Sequence, residues 1–474
     1  MMALYSFDAM TAIGCVLVTY AFLRAVLYFT QDSREPPMVM ASIPFVSPIL
    51  GMIRESMDFY PQMRERYRGL PIYTLRLPGT RIYAINSLEL IPVVQRAWRT
   101  LIFAPIQVQA AQAAMGVSKA TVAIMNRDLV TENGFVNGMV KATHPTMSNG
   151  PSLDRLNGEA FRVFNKTLEQ IESNSTVTVP IFRWVESQTM LATTDAVYGP
   201  ANPMRDTRNL DAWHQYHPAL MYMMLDILPQ KLFFGAAIQA REELVKNFTK
   251  YYADESYKRG SDYIQKFTQH CISQGIPEMD IPRMLLGTVF NNVANSVPSA
   301  FWVIYHIFSD RYLLQEIRDE VEQNAVVTNG EKGATDGIAT IDLSRLTNPS
   351  YCPILLSTYH EVFRYHGMAN SVRVVSEDHL LDGRFLLKKG GLVVMSARAQ
   401  HRNPAVWGPD VDDFCPHRFM SNKESYGEQG PRQDRINPVA FRGFGGGRDA
   451  VPGTPLCNGR DPVTGGAAGA SLRY

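Results

Sequence analysis

Cysteine is scarce in this sequence, and what there is cannot be grouped. Five residues, Cys15, Cys271, Cys352, Cys415 and Cys457, are spread over 474 positions with no CxxC pair. That excludes a disulfide framework and a cysteine-based zinc site, and it fits a reducing compartment. An excess of charge is missing too: 46 Lys and Arg stand against 45 Asp and Glu, a net charge of +1. A chain so balanced has no electrostatic footprint for nucleic acid. No internal repeat is visible. What the chain has in quantity is apolar residues, 46% of the total, enough for one large domain or two ordinary ones with a sizeable core.

Its long apolar run lies near the amino terminus. AMTAIGCVLVTYAFLRAVLYF, from Ala9 to Phe29, has the ~20 residues that cross a bilayer. Arg24 would be costly at the membrane centre but can snorkel from near one end. A cleaved signal peptide would need a basic leading region, which is absent, and a shorter apolar run; a buried core helix is the other alternative. The reading adopted is a membrane anchor over residues 1–33, with Arg24 and Arg34 favouring a cytoplasmic position for the domain beyond it. The segment Arg34-Glu-Pro-Pro-Met-Val-Met-Ala-Ser-Ile-Pro44 reads as a stiff linker, because its prolines exclude helix.

Beyond the linker, Pro71 to Pro78 and Arg81 to Ile85 are rich in β-branched and aromatic residues around Gly79 and read as a strand pair. Helical patterns then dominate. A long helix is expected from about Met284 to Asp310, kinked at Pro298 and carrying Asn291, Asn292 and Asn295 in an otherwise apolar run. Such features suit the wall of a cavity, or else a kinked core helix with satisfied amides. Tyr351 to Tyr365 is helical in pattern and places Glu361 and Arg364 on one face at i and i+3. Val372 to Val375, with Arg373, and Gly390 to Met395 read as strands. Next along the chain come Pro416-His-Arg-Phe419 and Phe441-Arg-Gly-Phe-Gly-Gly-Gly-Arg448. Three adjacent glycines let a backbone approach a flat partner closely, although such runs are more often only flexible loops.

Taken together, Glu361-Val-Phe-Arg364, Pro416-His-Arg-Phe419 and the Phe-Gly-Gly-Gly loop resemble the haem-binding end of the cytochromes P450. The likeness runs from about Pro36 to Arg448. It implies a mainly α fold with small β-sheets, the cytochrome P450 fold, here preceded by a single transmembrane helix. It implies haem b (iron protoporphyrin IX), a lipophilic small-molecule substrate such as a steroid, terpenoid or polyketide-type metabolite, and electrons from NADPH-cytochrome P450 reductase. It places the catalytic domain on the cytosolic side of the endoplasmic reticulum membrane. Residue by residue, Glu361, Arg364 and Arg418 match a structural ion network, and Arg373 a propionate-binding arginine with His401 as a weaker candidate. Phe444, Gly445, Gly447 and Arg448 match the loop against the cofactor. Lys141 and His144 stand where the family has a further propionate cation, but its Trp-x-x-x-Arg is missing, and they read as solvated. Ala294-Asn-Ser-Val-Pro-Ser-Ala-Phe-Trp302 resembles the central helix of the cholesterol 7α-hydroxylase and prostacyclin synthase branch. There Asn295 and Pro298 occupy the place of the usual acid-alcohol pair, which makes a reductase-independent isomerase or dehydratase the alternative to a monooxygenase.

One position departs sharply. The family's cysteine ligand falls seven residues after Phe444, which is Val451; the nearest thiol, Cys457, comes six residues later. Residues 449–474 are rich in small residues and lack helical periodicity. Back-translated with permitted codons and read one base later, they can give TLCPGRHFATAEILSLVALLVLRFD, with the cysteine in place and an apolar helix after it. The tail is therefore expected to be out of frame after Arg448. The organisation read from the sequence is an anchor at 1–33, a catalytic domain at 34–448 and an aberrant tail at 449–474. Taken literally, such a chain would be an inactive pseudoenzyme.

Overall fold

The computed structural model describes residues 2–131, 133–172, 178–225, 229–329, 338–420 and 437–444. The apolar run forms helix α1, Met2–Thr30, of which Met10–Thr30 is long and apolar enough to cross a membrane. Its last carbonyl, that of Thr30, accepts from Arg81 at 2.9 Å and from Arg76 at 3.3 Å, and Arg76 also donates to the Thr30 hydroxyl at 2.9 Å. Two cations at a helix C-terminus also complement its dipole.

The expected strand pair is present as β1 (Ile72–Leu77) and β2 (Thr80–Ile85), antiparallel around a left-handed Gly79. The proline-rich segment is not a free linker. Thr74 of β1 accepts from Val39 N–H at 3.0 Å and donates its own N–H to the Pro37 carbonyl at 2.8 Å, so the segment lies along the outer edge of β1. With β3 (Leu101–Ile102), β4 (Asn370–Val375) and β5 (Leu392–Ser396) these strands make one sheet in the order β1-β2-β5-β4-β3, in which β2 and β5 are parallel. Both faces are covered, as the two-residue alternation of the strands dictates. Ile72, Tyr83, Ile85, Val393 and Met395 enter one core, while Tyr73, Leu75, Ile82, Ala84 and Val394 enter the other. Two small two-stranded sheets complete the described β structure.

The described residues divide into two compact units. The first takes 2–103, 364–413 and 437–444, and contains α1 and the five-stranded sheet; the second takes 104–363 and 414–420 and is helical apart from one hairpin. In the second, the helix Ile281–Val293 buries Leu285, Leu286, Val289 and Val293 in the largest hydrophobic core.

The single helix expected from Met284 to Asp310 is two helices. The first ends at Val293, and the second, Ser296–Ser309, begins after Ala294 and Asn295. Pro298 sits in the first turn of the second helix rather than at a kink within one. A proline ring opposes the carbonyl four residues earlier, here that of Ala294, and the chain answers by interrupting the helix there. The new helix starts with the Ser299 N–H donating to the Asn295 carbonyl at 3.1 Å.

Candidate active site

In the first unit the site is built where β4 ends beside the loop entering the glycine run. Arg373 lies opposite Val393 of β5, is buried, donates to the Val372 carbonyl at 2.8 Å and spreads over the Phe103 ring at 5.4 Å. Arg442 comes close enough to feel its charge. It is also buried, and burial together with the neighbouring Arg373 cation pushes its guanidinium down to about 10. Arg442 reaches Ser371 Oγ at 3.5 Å, but its buried Nε has no hydrogen-bond partner among the described residues. Sequence reasoning missed Arg442, because one arginine among aromatic and glycine residues reads as solvated loop. Its place between Phe441 and Phe444 was the available signal.

His401 closes the short helix Ala397–His401, whose first turn is capped by Ser396 Oγ accepting from Ala399 N–H. Fully buried, it stacks on Phe441 with ring centres 5.7 Å apart, and its Nε2 accepts the backbone N–H of Arg442 at 2.9 Å. That bond assigns the proton to Nδ1. Burial first, then the Arg364 and Arg442 cations, bring His401 from its ordinary 6.5 down to about 3. The ring is therefore neutral. It offers a single buried N–H, and not the positive charge that a propionate cation would bring.

This shift carries a linkage. In the window from 6.5 to about 3 the unfolded chain binds a proton that the folded chain refuses. Stability contributed by the neutral imidazole is thus complete above pH 6.5 and lost as pH falls, by up to ~1.4 kcal/mol per pH unit. His401→Gln is expected to flatten the fall of stability between pH 6 and 4, read from denaturant midpoints at successive pH values; an unchanged slope would remove His401 from the acid response.

Arg364, fully buried, donates to the carbonyls of His401 (3.2 Å), Val411 (2.7 Å) and Asp413 (2.9 Å). The end of the helix Ala397–His401 and the turn at 411–413 are thereby tied together by one rigid fork.

In the second unit Glu361 accepts from Arg418 Nε at 3.2 Å and from the Cys415 backbone N–H at 2.9 Å. The pair is nearly sealed, the side chains being 0% and 2% exposed. Phe419 N–H donates to Ser357 Oγ at 2.9 Å on the same helix, Pro353–His366. Asn295 and Pro298 are exposed, whereas Asn292 is buried. Lys141 and His144 lie exposed on the helix Phe135–Met147, as solvated residues do. Gly445, Gly447, Arg448, Val451 and Cys457 lie outside the described residues.

Across residues 36–457 the chain matches the family model for cytochrome P450. The chain belongs to the cytochrome P450 family. It is 29% identical over 452 residues to Cytochrome P450 monooxygenase nodJ of Hypoxylon pulicicidum, covering 94% of this chain and 85% of that one. A Cytochrome P450 monooxygenase of Gibberella zeae is 26% identical, over 90% of this chain and 78% of its own. Cholesterol 7-alpha-monooxygenase of Cricetulus griseus shares 25% over 52% of this chain and 48% of its own. Membership brings the P450 oxidoreductase class, haem, a small-molecule substrate and a redox partner, and agrees with the mainly helical fold and small sheets.

The buried Arg373, Arg442 and His401 of the first unit fit that cofactor at its acidic edge. Two buried guanidiniums close enough to repel are unfavourable alone, and a dianionic group offsets their repulsion and desolvation. Arg442 Nε and His401 Nδ1, which have no hydrogen-bond partner among the described residues, are donors of the kind that carboxylates accept from.

Proposed function

We propose that the protein is a membrane-bound haem-thiolate monooxygenase oxidising a lipophilic small molecule of secondary metabolism, with haem b as cofactor and NADPH-cytochrome P450 reductase as electron donor. The observation that carries this is the buried Arg373 and Arg442 pair in a chain similar along most of its length to P450 monooxygenases. Arg373 and Arg442 would hold the haem carboxylates. His401 keeps the Arg442 backbone in place, and Arg364 holds the carbonyl frame below it. Phe441 and Phe444, edge to face at 5.8 Å, form an apolar wall that excludes water. Glu361 and Arg418 brace the loop through Cys415. When bound, haem supplies the dioxygen chemistry, which the protein steers by ligand, orientation and exclusion of water. Asn295, at the break before Ser296 that Pro298 enforces, would take part in proton handling near substrate. The organisation proposed is an anchor at 1–33, a catalytic domain at 34–448 and a tail at 449–474.

Two measurements test this reading. Turnover of an apolar substrate should require the reductase and NADPH; conversion without either would favour an isomerase or dehydratase. Deleting residues 1–33 should move the chain from the endoplasmic reticulum membrane to the soluble fraction, because α1 is the span available among the described residues. A truncated, unaggregated chain that still sediments wholly with membranes would show that α1 is not the anchor, or not all of it.

A further inference from the structure

Within the second unit, the helix Thr207–Leu225 has a face that is neither core nor surface. Trp213, Tyr216, Leu220 and Met223 are sealed in the largest core, and Asp211 and Gln215 stand in water. Between these two sides Leu210, His214, His217 and Met224, spaced three and four apart, are half-buried, and Met221 in the same row is 59% exposed. The helix Ile281–Val293 is divided in the same way. Leu285, Leu286, Val289 and Val293 are buried, while Gly287 and Phe290 are half-buried and Asn291 is exposed. Asn291 and Asn295 are four residues apart, so this open face runs on towards the break that carries Asn295. The two open faces meet at His217 and Phe290, whose ring centres are 6.1 Å apart.

His217 is held by its flat faces and not by its nitrogens. It stacks on Trp213 at 5.1 Å and 16°, and it has no hydrogen-bond partner among the described residues. His214, one turn earlier, differs, because its Nε2 pairs with Glu186 at 3.3 Å. Burial holds the His217 imidazole below its ordinary 6.5, so at neutral pH the ring is uncharged and offers one donor and one acceptor. Solvent serves a half-buried ring of this kind. An apolar molecule laid along Met221 and Phe290 drives that solvent out, and the bared nitrogens then oppose binding unless the molecule brings them an oxygen. The anion that His217 feels is Glu186, which repels a carboxylate and leaves a neutral oxygen favoured. We propose that His217 is a specificity-determining residue that hydrogen-bonds a hydroxyl or carbonyl oxygen on an otherwise apolar substrate, and so fixes which carbon is presented at Asn295. The proposal rests on the reading that Asn295 stands near a lipophilic substrate.

The test uses the full chain in detergent micelles, with adamantane, adamantanol and adamantane carboxylate as probes of one skeleton. Binding is read from the emission of Trp213, taken as the difference between each chain and its Trp213→Phe counterpart. Half-saturating concentrations in the parent and in His217→Phe are compared probe by probe, which cancels partition into the micelle. The expected result is that His217→Phe weakens adamantanol about tenfold, the worth of one net hydrogen bond, without weakening adamantane. His217→Asn, which keeps a donor and an acceptor, should restore most of the affinity for the alcohol. If His217→Phe binds no probe, His217→Leu takes its place in the comparison. Equal effects on alcohol and hydrocarbon overturn the role of His217 and leave a lipophilic-substrate site standing. A parent chain that binds the carboxylate more tightly than the alcohol overturns the assignment of a neutral oxygen. No saturable change with any probe overturns the proposal and the lipophilic-substrate reading together.

Discussion

Arg418→Ala is expected to cost the fold about 3–5 kcal/mol, or to leave no recoverable folded protein. The side chain is 2% exposed and its partner Glu361 0% exposed. Removing the arginine leaves a carboxylate in a sealed site facing the space its cation filled. The few waters the space can admit solvate it less well than bulk water does at the surface. Exposed pairs behave differently: Arg208 bonds Asp206 at 2.7 Å with its side chain 86% exposed, and Arg208→Ala should stay within about ±0.5 kcal/mol. A second comparison separates charge from packing. Removing both charges, as in Glu361→Gln with Arg418→Met, should cost less than Arg418→Ala alone, because no uncompensated ion remains. Denaturant midpoints of the four chains give the answer. An Arg418→Ala protein as soluble and stable as Arg208→Ala would mean that the pair does not brace the loop that carries Cys415.

How much of this was legible beforehand depends on the range of the interactions involved. The β1–β2 hairpin was readable because its signal is local: apolar alternation on both sides of Gly79, whose φ of +73° few other residues tolerate. The apolar length of α1 was equally plain. Glu361 and Arg418 could be paired only through the resemblance, since 57 positions separate them and no periodicity connects them. The break at Ala294 was missed although its cause was in view, because the effect of a proline falls on a carbonyl four residues before it, not on the proline itself. The proline segment was judged by what its residues forbid, a helix. Nothing local showed what they permit, a strand-like edge along Thr74. Arg442 was invisible for a related reason. It is defined by what surrounds it, and a composition of Phe, Arg and Gly does not say which side will be buried.

A chain carrying its last 26 residues in the shifted frame is expected to bind haem stoichiometrically and to give a thiolate-type reduced carbon monoxide spectrum, whereas the chain as it stands should give trace haem and no such band. By the spacing of the family's motif the ligand position falls on Val451, which has no donor atom. Cys457 is the rival, and the family match does extend to residue 457. Against it stands the register. A loop that must lay Gly445 to Gly447 against a porphyrin has to present sulfur at a fixed distance along the chain, and the Asp449-Ala-Val-Pro-Gly-Thr454 insertion lengthens that path with a proline in it. The change is larger than one ligand. Read one base later, the same nucleotides can encode Cys-Pro-Gly-Arg at the required place, with some fifteen mostly apolar residues after it of the kind a buried helix needs. The chain as it stands has small and polar residues after its glycines, and these cannot close an apolar pocket. The Arg373 and Arg442 pocket would then lack the anion that makes two buried cations tolerable, and stability should fall along with haem retention. The two chains, expressed side by side, are compared by haem content and by the reduced carbon monoxide spectrum. A thiolate-type Soret band from the unshifted chain, abolished by Cys457→Ala, would establish Cys457 as the ligand and rule out a displaced frame.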